Sequence, residues 1–408
     1  MSAEQQVLGR RVPRVGRRLP ARIRALLALL DGCRHGSVSL QLPDGDVLRL
    51  GQGEPIGHWL VRDLAAFDRA IATGDIGLGE AWMDGQWDTD ALPALLTWLS
   101  RNRDRLGERV HGRALPLLAY RLWHLLRANT RRGSRRNIEA HYDLGNDFYA
   151  LWLDPGMTYS AACFEAADEP LEQAQLRKYR RILNLLDARP GQQLLEIGCG
   201  WGGLAEVAVR EYGCTVRGLT LSPAQRAYAQ ARARAGGWAD RADFALCDYR
   251  DETGRYDHIV SIEMIEAVGE RFWPTYFERI ATCLVPGGSA VLQAITIDDA
   301  LFERYRRGTD FIQRYVFPGG MLPSPQRMRA EAAGAGLRQT GVSRFGADYA
   351  RTLQRWADGF DAVQAQVRAQ GFDARFIRLW QFYLAYCEAG FRTGDLDVCH
   401  AAFEHGSD

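Results

Sequence analysis

Lysine is almost missing from this chain: of 51 basic residues Lys178 is the single lysine. No glycine-rich turn is followed by the lysine that a phosphate-binding loop requires, so nucleoside triphosphate chemistry of that type is excluded. The arginine bias itself reads as a coding bias and assigns no mechanism. An excess of one charge is also lacking. The net charge is +1, which argues against wholesale polyanion binding and leaves nucleic acid out as a partner. Long apolar runs are absent: "ALLALL" near the start is short, late and followed by Asp31, so neither a secretory signal nor a membrane span is expected. The eight cysteines form no CxxC or Cys/His finger spacing, so no metal site is expected and reduced, cytoplasmic thiols are the default. What is present is an ordinary globular composition, 408 residues with 47% hydrophobic and 25% charged, long enough for two or more units.

The organisation changes along the chain. "VSLQLPDGDVLRLG" alternates on both sides of Asp44-Gly45 and predicts a hairpin. Helical patterns follow to about residue 102, so residues 25–112 form a small α+β unit behind a basic tail, residues 1–24. Residues 113–136 read as an amphipathic helix and an arginine-rich linker, with Arg113, Arg121, His124 and Arg127 on one side and Leu118, Leu122, Leu125 and Leu126 on the other. Such a segment suits either packing between domains or an anionic membrane surface. From about residue 190 strands and helices alternate, which predicts an α/β, doubly wound, mostly parallel sheet within a unit spanning 137–408. Residues 350–405 read as C-terminal helices.

The first strand of that sheet runs into "LLEIGCGWGGLA", where Glu196, Ile197, Gly198, Cys199, Gly200, Trp201, Gly202 and Gly203 form an acid followed by a glycine hinge. A dinucleotide site would want a ribose-binding acid about 20 residues later, at the end of the second strand; that strand ends at Thr220. The turn resembles instead the first motif of S-adenosylmethionine (SAM) methyltransferases. SAM carries an ammonium, a carboxylate and a sulfonium but no phosphate, so acceptors beside bare backbone suit it. "LTLSPAQ" offers Thr220, Leu221, Ser222 and Gln225 for the ribose, and "CDYRD" offers Asp248 and Tyr249 for adenine. Each of these polar residues could equally serve as a cap or turn former.

The surrounding motifs "NIEAHYDLGNDFYALWLDPGMTYSAACFE", "EMIEAVG", "FIQRYVFPGGMLPS", "FGADYARTLQRW" and "FYLAYCEAGFRTGDLD" resemble, in this order, the cyclopropane-fatty-acyl-phospholipid synthases and mycolic acid cyclopropane synthases. The resemblance implies a class I methyltransferase fold with a helical lid, and methyl transfer to a cis double bond of an unsaturated phospholipid acyl chain. It also implies peripheral association with the inner face of the cytoplasmic membrane and a homodimer. It brings a bicarbonate ion as general base. Carried over by position, Tyr159 and Ser160 are the Tyr-Ser pair, Ala161 and Ile295 give backbone contacts, and Glu266 and Tyr349 give side-chain contacts. Cys387 matches a cysteine long associated with activity, although alkene methylation needs no thiol and a structural role suits it as well. His141 and Asp143 are implied to organise the lid over SAM.

Two positions depart from the family pattern. Gln293 stands where the family has histidine, and Ala267 follows the glutamate where histidine is usual. Glutamine donates a hydrogen bond but cannot shuttle a proton, which weakens ring closure and leaves methyl transfer intact. Three outcomes are therefore carried forward: a cyclopropane ring, a methylene- or methyl-branched chain of the tuberculostearic type, and a SAM- and lipid-binding protein without turnover.

Overall fold

The computed structural model describes residues 19–106 and 144–405. The expected basic tail up to residue 18, the whole of the amphipathic linker 113–136, His141 and Asp143 lie outside the described residues. The chain falls into two units, residues 1–119 with 373–389 and residues 120–372 with 390–408.

In the first unit the expected hairpin forms from β1 (Gly36–Gln41) and β2 (Val47–Gln52), with Gly45 at φ +89° in the turn, a region open to glycine at little steric cost. Strand β3 (Pro55–Val61) pairs parallel to β1, and the short β4 (Trp87–Thr89) pairs antiparallel to β3. Trp59, Trp82 and Trp87 pack edge to face or tilted, with centroids 4.9–5.8 Å apart. Most of the last helix, Ala374–Thr393, belongs to this unit and not to the contiguous 137–408 block expected from sequence. The reason is Arg378. Its guanidinium lies 3.9 Å from the Trp82 ring centre and donates to Trp87 O (2.9 Å) and Asp88 Oδ1 (3.0 Å). Arg378→Ala is expected to destabilise this unit by roughly 2 kcal/mol, the sum of a desolvated cation–π contact and a stranded carbonyl; a thermal melt unchanged from wild type would contradict it.

The second unit carries a seven-stranded sheet in the order β10-β11-β9-β8-β5-β6-β7. Its strands are β5 (Gln193–Ile197), β6 (Thr215–Thr220), β7 (Ala242–Leu246), β8 (Tyr256–Ile262), β9 (Leu284–Ile297), β10 (Leu337–Arg344) and β11 (Leu396–His405). Strands β5 to β9 run parallel, as expected. The order reverses at β5, which pairs with both β6 and β8, and ligands of such sheets sit at the strand ends beside that reversal. Leu194, Leu195, Ile259, Val260 and Ala290 are fully buried in the central strands, as a sheet covered on both faces demands.

One expectation fails. Residues 396–405 are not helical but form β11, antiparallel between β9 and β10. Val398 to Ala401 are buried as a continuous run, and a short run buried on both faces shows no alternation that would distinguish strand from helix.

Candidate active site

The glycine turn after β5 opens a cleft at the carboxyl ends of the strands. Ile197, Gly198, Gly200, Thr220, Leu221, Gln225, Asp248 and Tyr249 all line it. Gly198 is at φ +87°, and a Cβ there would come 3.0 Å from Met264 Cγ; Gly200, at φ +51°, has nothing within 4 Å of such an atom. The turn is thus bare backbone, packed against Met264 at Gly198 and facing open space at Gly200. Glu196 lies beneath it, 3% exposed, with Oε2 buried and without a partner among the described residues. Burial pushes its carboxyl well above the usual range against the pull of Lys178 and Arg232. An orphaned acceptor beside bare glycine backbone fits the ammonium end of SAM, which would complete its hydrogen bonding.

Other sequence candidates stand further back. Cys199, Trp201, Ser222, Gly202 and Gly203 do not line the cleft. Cys199 and Trp201 are buried, and Trp201 Nε1 donates to Asn146 Oδ1 at 2.8 Å. Ser222 caps the helix Pro223–Ala235, accepting from Gln225 N at 3.2 Å. Thr220 Oγ1 donates to Gln225 Oε1 at 2.8 Å, so capping and cleft lining coincide in these residues. Asp248 accepts from Arg250 Nε (2.8 Å) and Nη2 (2.6 Å). An adenine amino group would share that carboxylate with a guanidinium, a partner that sequence reasoning did not foresee.

The larger omission is Glu263. It follows β8 directly, and its backbone N–H donates to Gln293 O at 2.8 Å. Its φ is +49°, a left-handed conformation that costs a non-glycine residue about 1 kcal/mol and persists only where surroundings enforce it. The surroundings here are hydrogen-bond donors. Ala161 N (2.8 Å) and Gln293 Nε2 (2.8 Å) both donate to Oε1, and Tyr349 OH (2.8 Å) donates to Oε2. Glu263 also lines the cleft beside Gly198 and Gly200. Its carboxyl is raised, mainly by burial, with the amide of Ala161 and the charge of Lys178 pulling the other way. The signal was available: two acids three residues apart in "EMIEAVG", the first at the end of a parallel strand.

Glu266, the acid singled out from sequence, sits one turn further on. Its Oε1 accepts from Ile295 N at 2.5 Å, and its Oε2 is buried without a partner among the described residues. Burial, followed by the charge of Glu263, raises it to about 8. Gln293 is held on every polar atom: Nε2 donates to Glu263 and to Ala161 O (3.2 Å), and Oε1 faces His400 Nε2 at 2.8 Å. Both amide protons being committed, His400 must carry its proton on Nε2 and donate. Burial keeps His400 neutral, lowering it to about 3. Cross-strand pairing of His400 with Gln293 fixes this contact.

Lys178, set aside on composition, is part of the same site. It lies on the helix Leu171–Leu185, fully buried, and Nζ donates to Ser160 Oγ at 2.6 Å. Burial lowers it to about 8, opposed first by Glu263 and also by Cys163, Asp154 and Glu196. Tyr159 packs among Tyr149, Trp152 and Trp356, with centroids 5.1–5.7 Å away, and Tyr349 lies edge-on to Trp356 and against Phe391. An aromatic wall thus adjoins the carboxylate. Cys387 belongs to the first unit, on the Ala374–Thr393 helix. No cluster of metal-binding side chains occurs among the described residues.

Comparison with known proteins identifies the family. The family model described as mycolic acid cyclopropane synthetase matches residues 129–401. The chain is 41% identical over 336 residues to the tuberculostearic acid methyltransferase UfaA1 of Mycobacterium tuberculosis, covering 80% of this chain and 78% of that protein. It is 34% identical to the cyclopropane-fatty-acyl-phospholipid synthase of Escherichia coli K12, covering 83% and 86%. Among solved structures, mycolic acid cyclopropane synthase CmaA1 complexed with SAH and CTAB superposes with a TM-score of 0.63 at 32% identity, covering 66% of this chain and 98% of that one. A glycine cleft suited to SAM, the matching family model and these relatives converge on one conclusion: the chain belongs to the mycolic acid cyclopropane synthetase family and is a SAM-dependent lipid methyltransferase.

Proposed function

We propose that this protein methylates a cis double bond of an unsaturated phospholipid acyl chain and releases a methylene-branched chain. The observation that carries the choice of product is Gln293: its amide is locked between His400, Ala161 and Glu263 at the position where a proton-shuttling histidine would favour ring closure. The 41% identity to a tuberculostearic acid methyltransferase supports the same reading.

When bound, SAM supplies an electrophilic methyl group. The glycine turn positions that donor, and the buried floor excludes water, which keeps an alkene, a weak nucleophile, close to it. As the new C–C bond forms, the adjacent carbon becomes cationic, and the rings of Tyr159, Tyr349 and Trp356 offer their negative faces to it. A hydride then moves with its electron pair from the methylated carbon to its neighbour. Loss of a proton from the methyl group leaves a C=CH2 branch on the chain. A saturated methyl branch needs two further electrons from a separate reductase. The ring-forming alternative omits the hydride shift, and the kinship with cyclopropane synthases favours it.

Mass spectrometry of acyl chains after incubation with dioleoyl phospholipid and labelled SAM tests the reading. A methylene product is expected from wild type, and Gln293→His is expected to raise the cyclopropane share. Cyclopropane as the sole wild-type product would overturn it. The substrate also places the protein on a membrane surface, with the basic segments 1–24 and 113–136 as contacts. Binding to vesicles containing anionic lipid should exceed binding to neutral vesicles by about tenfold and fall with salt; equal binding to both would remove the electrostatic contact.

A further inference from the structure

The family resemblance allots to a bicarbonate ion the carboxyl of Glu266 and four donors, Ala161 N, residue 293, Ile295 N and Tyr349. In this chain all four donate to the protein's own carboxylates. Three hold Glu263 and the fourth holds Glu266. A bicarbonate would find no free donor there and would sit against two acidic side chains, an arrangement that like-charge repulsion disfavours. The site does not fit the ion.

We infer that the Glu263 carboxylate is the resident proton acceptor of the reaction, and that the protein needs no bicarbonate. This rests on the alkene-methylation reading above. A carboxylate has about four acceptor sites; three are filled by the donors named above, which leaves one for a proton, and the residue lines the cleft that holds the glycine turn. The left-handed backbone at Glu263 turns its side chain back among those donors. In the chemical step a methyl C–H bond of the cationic intermediate breaks, its electron pair closes the new C=C, and the proton moves to Glu263. No oxidant or reductant is involved, and deprotonation to solvent resets the carboxylate. The charged and titratable groups facing it are Lys178 from the helix Leu171–Leu185, Tyr349, Glu266 from the following turn, and neutral His400 behind Gln293.

The experiment uses the full chain, vesicles of dioleoylphosphatidylglycerol and methyl-labelled SAM, in carbon dioxide-free buffer with and without added bicarbonate. Wild type is expected to incorporate label equally in both. Glu263→Gln, which keeps the shape, is expected to lose about 100-fold or more in both, the scale of a lost general base. Glu263→Gly empties the cage, so it should bind 13C-bicarbonate by NMR, which wild type should not, and recover activity when the ion is added. Wild-type activity that disappears without bicarbonate, a fully active Glu263→Gln variant, or 13C-bicarbonate bound to wild type would each overturn the inference while leaving acyl methylation standing. No label in any acyl chain under either condition overturns the methylation reading and the inference with it.

Discussion

Lys178→Met is expected to lower methyl transfer at pH 7 by about two orders of magnitude and to move the rising limb of the pH–rate profile to higher pH. Lys178 is the buried positive charge whose strongest opposite-charge neighbour is Glu263, and it also acts on Glu196 under the glycine turn. Removing a nearby positive charge raises a carboxyl further, so a smaller fraction of Glu263 is ionised at neutral pH. The same substitution leaves a buried acid uncompensated, a loss that commonly reaches 3 to 5 kcal/mol when one partner of a buried pair is removed. Stability and activity are separable. A folding defect alone lowers the amplitude of the profile, whereas loss of the electrostatic role moves its position. Lys178→Arg provides the second arm, because a planar guanidinium cannot take the compact ammonium's place 2.6 Å from Ser160 Oγ without displacing it. A Lys178→Met profile with an unmoved midpoint would refute the electrostatic role.

Stability is expected to pass through a plateau between about pH 4.5 and 6.5 as far as Glu266 and His400 are concerned, and to fall on both sides. Glu266 is raised from 4.5 to about 8, so across that window the folded protein keeps a proton that the unfolded chain has lost, and stability declines as pH rises. His400 is lowered from 6.5 to about 3. Across that window the unfolded chain binds a proton that the fold refuses, so stability declines as pH falls. Where the windows overlap the two slopes cancel. Each displacement is worth on the order of 5 kcal/mol over its full range. Denaturant titrations at a series of pH values check this with two variants. Glu266→Gln should match wild type near pH 5 and gain on it toward pH 8, and His400→Gln should flatten the acid limb. Curves that stay parallel to wild type across the range would show that neither group carries the pH dependence.

The sheet of the second unit was legible because its strands and helices announce themselves locally. The apolar run of β5, the glycines after it, and the Ser-Pro start of the next helix each follow from near-neighbour chemistry. The hairpin at Asp44-Gly45 was legible for the same reason. β11 was not, because its burial on both faces erases the alternation that marks a strand. Arg378 was invisible as an organiser of the first unit, since its partners Trp82, Trp87 and Asp88 lie almost 300 residues away in sequence.

Within the site the motif pattern identified Gln293, Tyr349, Ala161, Ile295 and Glu266 as neighbours, and tertiary structure bears on what they surround. Ala161, Gln293 and Tyr349 hold Glu263, an acid lying in plain view in "EMIEAVG" and given no role there, while Ile295 holds Glu266. Sequence spacing does not reveal which of two acids on adjacent turns points toward a distant amide, hydroxyl and ammonium; a positive φ and strand register settle that. The lone lysine shows the same division. Composition counted it and found no meaning in it, because a charge acquires a consequence only through what desolvates and faces it. The sequence by itself determined the cofactor, the parallel core of the sheet and the family, since those depend on short stretches whose chemistry is local. Only the tertiary structure decided which carboxylate occupies the donor cage and which charge balances it, because electrostatic roles depend on distance and burial between residues 161, 178, 263, 293, 349 and 400, which the chain keeps far apart.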